Sequence, residues 1–297
     1  MIAWTEAGAV ERPLMVQVRV QRAYPGRVRA GAPVPTRSMS PEEVLANLRY
    51  FTEGLRGPRT SPCTRLVLSG VGVAGRADTP DAIAAARAWG IEHVVLHVGS
   101  EDLEPLGVSR YQGLVDLVIV PVQPSSAGGA LQAGVRAVRQ CQAAGLPVVA
   151  NTVLSPTALD ELPTVARALA AAQPRGAAFT FPFPIDGNSS VHLPGLSAVL
   201  RALDAAVPVL EAAGVNVDIK GLPGCYLGRL STRIRRSANR WYVDADHQQS
   251  EAILFFPGVV SFTKAEGCRF CRLDGQCDGF FATYLRRSGF PALVPVE

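Results

Sequence analysis

From residue 16 to about residue 183, short β-branched runs alternate with amphipathic stretches rich in Ala and Leu. That alternation is the pattern of parallel strands joined by crossover helices. It predicts six strands: VQVRV (16–20), RLVLS (65–69), EHVVLHV (92–98), VDLVIVPV (115–122), PVVANTV (147–153) and AAFTFPF (177–183). A later helix, LSAVLRALDAAVPVLEAAG, leads to a further extended run, VNVDI (215–219). Strands that are apolar nearly throughout need cover on both faces, as in a β/α barrel or a doubly wound sheet. Two helix starts are written into the chain. In SPEEVLANLRYFTEGL, Ser40 caps, Pro41 takes the first turn and Glu43 closes a capping box. TPDAIAAARAWG is expected to start in the same way from Thr79 and Pro80 and to stop at Gly90.

After about residue 221 this rhythm stops. GLPGCYLG, an Arg-rich run, RWYVDADHQQS and ILFFPGVVSF follow, with Gly and Pro frequent and no clear helix before FFATYLRRSGF. So irregular a segment lacks an obvious core and needs something to tie it down. The whole chain has 297 residues, 48% of them hydrophobic, which excludes disorder. Its first residues lack a basic-then-apolar leader, and no apolar run reaches the roughly 18 residues of a membrane helix. The reading is cytoplasmic, with no membrane partner. Net charge is a modest +4, much of it from RLSTRIRRSANR (229–240). Arg229, Arg233, Arg235, Arg236 and Arg240 form either a solvated face or a surface for an acidic peptide or protein; nucleic acid is the minor alternative.

Six cysteines occur, and three of them, Cys268, Cys271 and Cys277, fall within GCRFCRLDGQCDG. In a reducing compartment a C-x2-C-x5-C group argues for metal before disulfide. Structural zinc and cubane iron-sulfur sites both take four ligands. Cys225, between glycines in LPGCYLG, is the best candidate for the fourth. Cys63 and Cys141 read as small buried hydrophobes. Spacing alone leaves zinc and a [4Fe-4S] cluster equally open.

GVGVAG (70–75) spells G-x-G-x-x-G after a strand, with Glu101 and Asp102 downstream. A dinucleotide fingerprint opens its helix within the glycine run so that the helix end meets the pyrophosphate. Here the helix signals come too late, so the run reads as a strand-to-helix loop. His247, Asp244 and Asp246 in DADHQQ could serve substrate chemistry, but His247 reads first as a hydrogen-bonded surface residue. His93 and His97 read as packing residues on a strand.

Taken together, the serial β/α rhythm, Cys225 and C-x2-C-x5-C-D-G resemble the radical S-adenosylmethionine (radical SAM) superfamily. VPTRSMSPEEVLANLR, NTVLS, FPFP and RWYVDADHQ add to the likeness, which covers nearly the whole chain. The resemblance implies an α/β fold: a partial (β/α)6 TIM-like barrel over residues 1–220, with an irregular cysteine-rich extension over 221–297 that holds one auxiliary [4Fe-4S] cluster. It favours that cluster over zinc on Cys225, Cys268, Cys271 and Cys277. In the family, C-x3-C-x2-C after the first strand binds the SAM-chelating cluster; the matching positions are Tyr24, Val28 and Gly31. The family's Gly-Gly-Glu-Pro loop falls on Gly70, Val71, Gly72 and Val73, with Gly72 where a carboxylate belongs. Both motifs are degenerate, so neither SAM binding nor SAM cleavage is expected. The implied role is a pseudoenzyme, an accessory subunit or peptide-binding partner of an active homologue, with AYPGRVRAG, GVGVAG and FPFPIDGNS as adaptable contact loops. The rival is an independent iron-sulfur enzyme or electron-transfer protein.

Overall fold

The computed structural model describes residues 2–5, 8–11, 13–21, 37–53, 62–99, 107–124, 129–183, 193–256, 262–287 and 290–297. Strands β1 (Ile2–Thr5) and β2 (Gly8–Glu11) pair antiparallel. The seven runs expected from the sequence form β3 (Met15–Arg19), β4 (Arg65–Ser69), β5 (His93–His97), β6 (Leu117–Pro121), β7 (Val148–Val153), β8 (Gly176–Thr180) and β9 (Asn216–Lys220). Two more, β10 (Arg240–Val243) and β11 (Ile253–Phe255), complete a sheet of nine in the order β11-β10-β3-β4-β5-β6-β7-β8-β9. The order from β3 to β9 follows the chain, and β10 also runs parallel to β3. Only β11 is antiparallel to its neighbour. This is the sheet of a partial barrel, left open with β9 and β11 as its edges.

The described residues cluster into two units, one of 1–120, 139–148 and 239–255, the other of 121–138, 149–238 and 256–297. In the first, α1 (Pro41–Thr52) begins as the sequence predicts: Ser40 Oγ accepts from the Glu43 amide, and Glu43 Oε2 accepts from the Ser40 amide. Helix α2 (Thr79–Ala88) departs from expectation. Its N-cap is Asp78, which makes no side-chain cap bond, and Thr79 lies inside the helix. The Thr79 hydroxyl is taken by the preceding loop, donating 2.8 Å to the Val73 carbonyl. Val16, Val18, Leu66, Leu68, Val94 and Leu96 are all 1% exposed or less.

Strand β10, unforeseen in RWYV, is held there by a polar clamp. Asn47 of α1 is fully buried and donates to the Glu43 carbonyl and to Gln248 Oε1, while its own oxygen accepts from the Gln249 amide. Gln248 Nε2 in turn donates 2.9 Å to Glu43 Oε1. One helix face thereby orders the turn that follows β10.

The second unit holds β7–β9, part of α3 (Ala130–Ala143), and α4 (Pro156–Leu159), α5 (Leu162–Ala172) and α6 (Leu196–Ala212). Strand β8 is buried over Gly176–Phe179, as a strand covered on both faces must be. Beyond β9, the short strands β12 (Phe262–Thr263) and β13 (Phe280–Phe281) pair antiparallel, and α7 (Ala282–Arg287) follows. The irregular segment does have a core. Phe181, Tyr226, Phe280, Phe281, Tyr284 and Phe290 pack ring to ring, with Phe280 4.8 Å from Phe290 and 5.3 Å from Tyr226 between centroids. Tyr284 hydrogen-bonds the Pro182 carbonyl and Tyr226 that of Pro291. Burial pushes both phenols up to about 12, so each stays a donor. Among the described residues no helix is long and apolar enough to cross a membrane.

Candidate metal centre

Cys225, Cys268, Cys271 and Cys277 line one pocket in the second unit, with Pro223, Lys264 and Val294 among the other lining residues. Each arrives by a tight turn. Cys225 sits in a single 3-10 turn, Gly224–Tyr226, just past β9. Cys268 lies in the 3-10 turn Glu266–Phe270, and the Cys271 amide closes back on the Cys268 carbonyl at 3.0 Å. Cys277 precedes Gly279, where a Cβ would stand 2.0 Å from the Thr263 carbonyl oxygen. Only glycine lets β13 turn in beside β12 so soon after the third cysteine.

The sulfurs are met by backbone N–H groups. Cys271 Sγ accepts from Leu273 and Val296 at 3.4 and 3.3 Å, and Cys277 Sγ from Gly279 at 3.3 Å. Cys225 accepts from the Val294 amide. Donors aimed at sulfur favour thiolate and are a means by which proteins tune iron-sulfur sites. Against this, burial pushes the Cys225 thiol up, and the neighbouring Cys277 and Cys268 sulfurs add to the rise. A pocket that gathers four thiols, resists ionising one of them and still points amides at sulfur is arranged for thiolates with a cationic partner. Among the described residues, no three His, Cys, Asp or Glu side chains form a group that could hold a single metal ion. The four sulfurs share a wall without sharing one ion's shell.

The other sequence candidates are placed as follows. Cys63 and Cys141 are buried, at 1% and 0% exposure, away from this pocket, and burial raises the Cys141 thiol to about 11. Tyr24, Val28 and Gly31 lie outside the described residues, as do Glu101, Asp102 and His192. GVGVAG is a packed loop and not an adaptable one. Val73 and Ala74 are buried at 0% and 1%, and the Ala74 carbonyl accepts from Tyr111 Oη at 2.9 Å and from Arg110. Gly72 has φ +72° and open space where a side chain would project. His247 Nδ1 lies 2.8 Å from Asp244 Oδ1, which also accepts from the Asp246 and His247 amides, so the pair closes a turn.

The basic strip is a correction. Arg229, Arg233 and Arg235 lie 2.8, 2.5 and 2.7 Å from Asp204, Glu211 and Asp218, and Arg236 lies 3.5 Å from the buried Asp278. Arg240 is on β10, over the Phe255 ring at 4.5 Å. Charge neutralised within the chain leaves little to attract an acidic partner.

No protein-family model and no curated protein matches the sequence. Solved structures do match the fold. anSMEcpe with AdoMet bound superposes with a TM-score of 0.64 at 10% identity, over 95% of this chain and 89% of that one. Streptococcus suis SuiB bound to S-adenosylmethionine gives 0.60 at 9% identity, over 93% and 75%. SuiB bound to precursor peptide SuiA gives 0.59 at 10%, over 93% and 74%. The fold is radical-SAM-like. Within this radical-SAM-like fold, sequence reasoning missed two features that position the site: the aromatic core under the cysteines and the amides that meet the sulfurs. The first had a signal in FPF and FFATY. The second is backbone geometry and had none.

Proposed function

We propose that this chain is a catalytically degenerate radical-SAM-like protein that holds one auxiliary [4Fe-4S] cluster and works as an accessory or peptide-binding partner of an active radical SAM enzyme. The observation that carries the reading is the single pocket lined by Cys225, Cys268, Cys271 and Cys277, with amides directed at three of the sulfurs. By contrast, the positions that the resemblance assigns to the SAM-chelating cluster are Tyr24, Val28 and Gly31, and a cubane cannot take three protein ligands from that set. Gly72 likewise has no carboxylate to offer the SAM amino group. When bound, the cluster would supply an electron reservoir or an iron site beside the ligand. The protein's part is to hold four thiolates and direct N–H groups at them.

A lone zinc would draw its four sulfurs in to about 2.3 Å from one centre. The wider grouping supports a cluster, which offers a separate iron to each thiolate. Residues 1–220 are then the scaffold and 221–297 the cluster-bearing extension, with 240–255 lent back to the scaffold sheet. A cytoplasmic setting would keep all six cysteines reduced. The peptide reading is supported by SuiB, which binds its precursor peptide on the same fold. It no longer draws on the arginine strip.

Two measurements test this reading. Anaerobically reconstituted protein should carry about four irons and four sulfides, and losing any one of the four thiols should lower that count; zinc without iron would overturn it. Given SAM and dithionite, the protein should form no 5′-deoxyadenosine above a blank. Capture from native lysate should recover an intact homologue or its peptide, whereas a solitary protein with its own turnover would overturn the accessory role.

A further inference from the structure

Strand β3 carries a charge where the sheet interior has few. Val16 and Val18 are fully buried on one face, while Gln17 and Arg19 alternate onto the other, half-buried. The ladder pairs Arg19 with Ser69 and Ser69 with His97. These three residues therefore stand in a row across the last positions of β3, β4 and β5. Gln17 Nε2 donates to Ser69 Oγ at 3.3 Å, which fixes their shared face, and Ser69 is only 6% exposed. All four residues belong to the first unit.

Elsewhere in that unit arginines have acids of their own: Arg49 has Glu53, Arg76 has Asp78 and Arg87 has Asp116, each within 2.8 Å. Among the described residues, no carboxylate lies within ion-pair distance of Arg19. A partly desolvated guanidinium without a counter-charge is costly, and the cost is relieved when an anion arrives from outside. Parallel α/β folds receive ligands at the carboxyl ends of their strands, where this row lies.

We propose that Arg19, Ser69 and His97 form a binding site for a ligand carboxylate. The guanidinium fork offers two parallel N–H donors to the carboxylate oxygens. Ser69 Oγ already accepts from Gln17, so its own O–H is left to donate. The His97 imidazole ends the row one strand further on. One permanent positive charge beside neutral donors matches a monoanion better than a phosphate dianion. The carboxylate can come from a free amino acid or from a peptide terminus. None of these residues is among the cysteines or the degenerate SAM positions, so this site stands or falls apart from the metal centre.

Calorimetric titration of the full chain tests it, with N-acetylglycine, N-acetylglycinamide, an N-acetylated tripeptide with a free carboxyl terminus, inorganic phosphate and SAM as probes. Saturable binding of the carboxylates is expected, at least tenfold weaker for the amide. Equal affinity for the two carboxylates assigns a small molecule, and a tenfold preference for the tripeptide assigns a peptide. Arg19→Gln should weaken binding at least tenfold, Arg19→Lys and Ser69→Ala less, and Arg65→Gln at the opposite end of β4 not at all. Tryptophan fluorescence identifies the variants that remain folded, and Arg19→Lys carries the test if Arg19→Gln does not fold. The proposal is overturned if neither carboxylate binds, if the amide binds equally, if phosphate binds more tightly, if folded Arg19 variants bind as the parent does, or if SAM binds tenfold more tightly than N-acetylglycine with no loss in those variants.

Discussion

Gly70 and Gly72 stand two residues apart in one loop, yet alanine should have very different effects at each. Gly70 has φ +122°, and a Cβ there would lie 2.7 Å from both the nitrogen and the oxygen of Gln21. Neither is a side chain that can swing aside. Backbone strain costs about 1–3 kcal/mol, and forced contact in a packed region about 1–3 kcal/mol more. Gly70→Ala should therefore destabilise the first unit by about 2–6 kcal/mol. Gly72 has φ +72° and nothing within 4 Å of the added carbon. Its left-handed backbone costs about 1–2 kcal/mol, of which about 0.4–1 kcal/mol is offset because alanine also restricts the unfolded chain. The net cost is about 1 kcal/mol. Trp4, Trp89 and Trp241 are the only tryptophans and all belong to the first unit, so urea unfolding followed by tryptophan fluorescence reports on that unit. The two midpoints should separate clearly at unchanged slope. Equal costs at the two sites would refute the close approach between Gly70 and Gln21.

Asn47→Ala removes three hydrogen bonds from a fully buried position and leaves the Gln249 amide to find another partner; a loss of about 2–4 kcal/mol is expected in the same assay. Acid should weaken the first unit as well. Hydrogen bonds from Gln248 and then from the Ser40 amide hold the Glu43 carboxyl below its ordinary range, and Arg76 does the same for Asp78. Depressed carboxyls stabilise fully above about pH 4, the unfolded value, and that share is lost as pH falls through their lower folded values. The urea midpoint should hold down to about pH 5 and then drop, more gently in Glu43→Gln. Stripping the metal with a chelator should speed amide exchange over 264–279 while β7–β9 and the Phe280–Phe281 strand stay protected. Exchange that rises across the whole second unit would contradict an independent aromatic core.

Most of the parallel sheet was readable because its strands are apolar on both faces, which leaves few other places for them to go. The Ser40–Glu43 box was readable because capping is local chemistry. Strand β10 was not, since four residues starting with an arginine give no period, and its placement depends on Asn47 nearly two hundred residues earlier. The arginine strip misled for a related reason. Asp204, Glu211, Asp218 and Asp278, which neutralise it, are remote in sequence and close only after folding. The spacing of Cys268, Cys271 and Cys277 brings them near one another in almost any fold. Their meeting with Cys225 depends on the turn after β9 and on aromatic rings scattered from Phe181 to Phe290.

The return of β10 and β11 to the first unit bears on how the chain is made. A ribosome releases residues in order, and the outer neighbour of β3 emerges only after β9 and the turn bearing Cys225. Until then β3 exposes an unpaired row of amides and carbonyls beside Val16 and Val18, a template for strands from other chains. A nascent chain stopped at residue 220 should be a poor independent product, and the interval before residue 255 is translated is when chaperone contact would matter most.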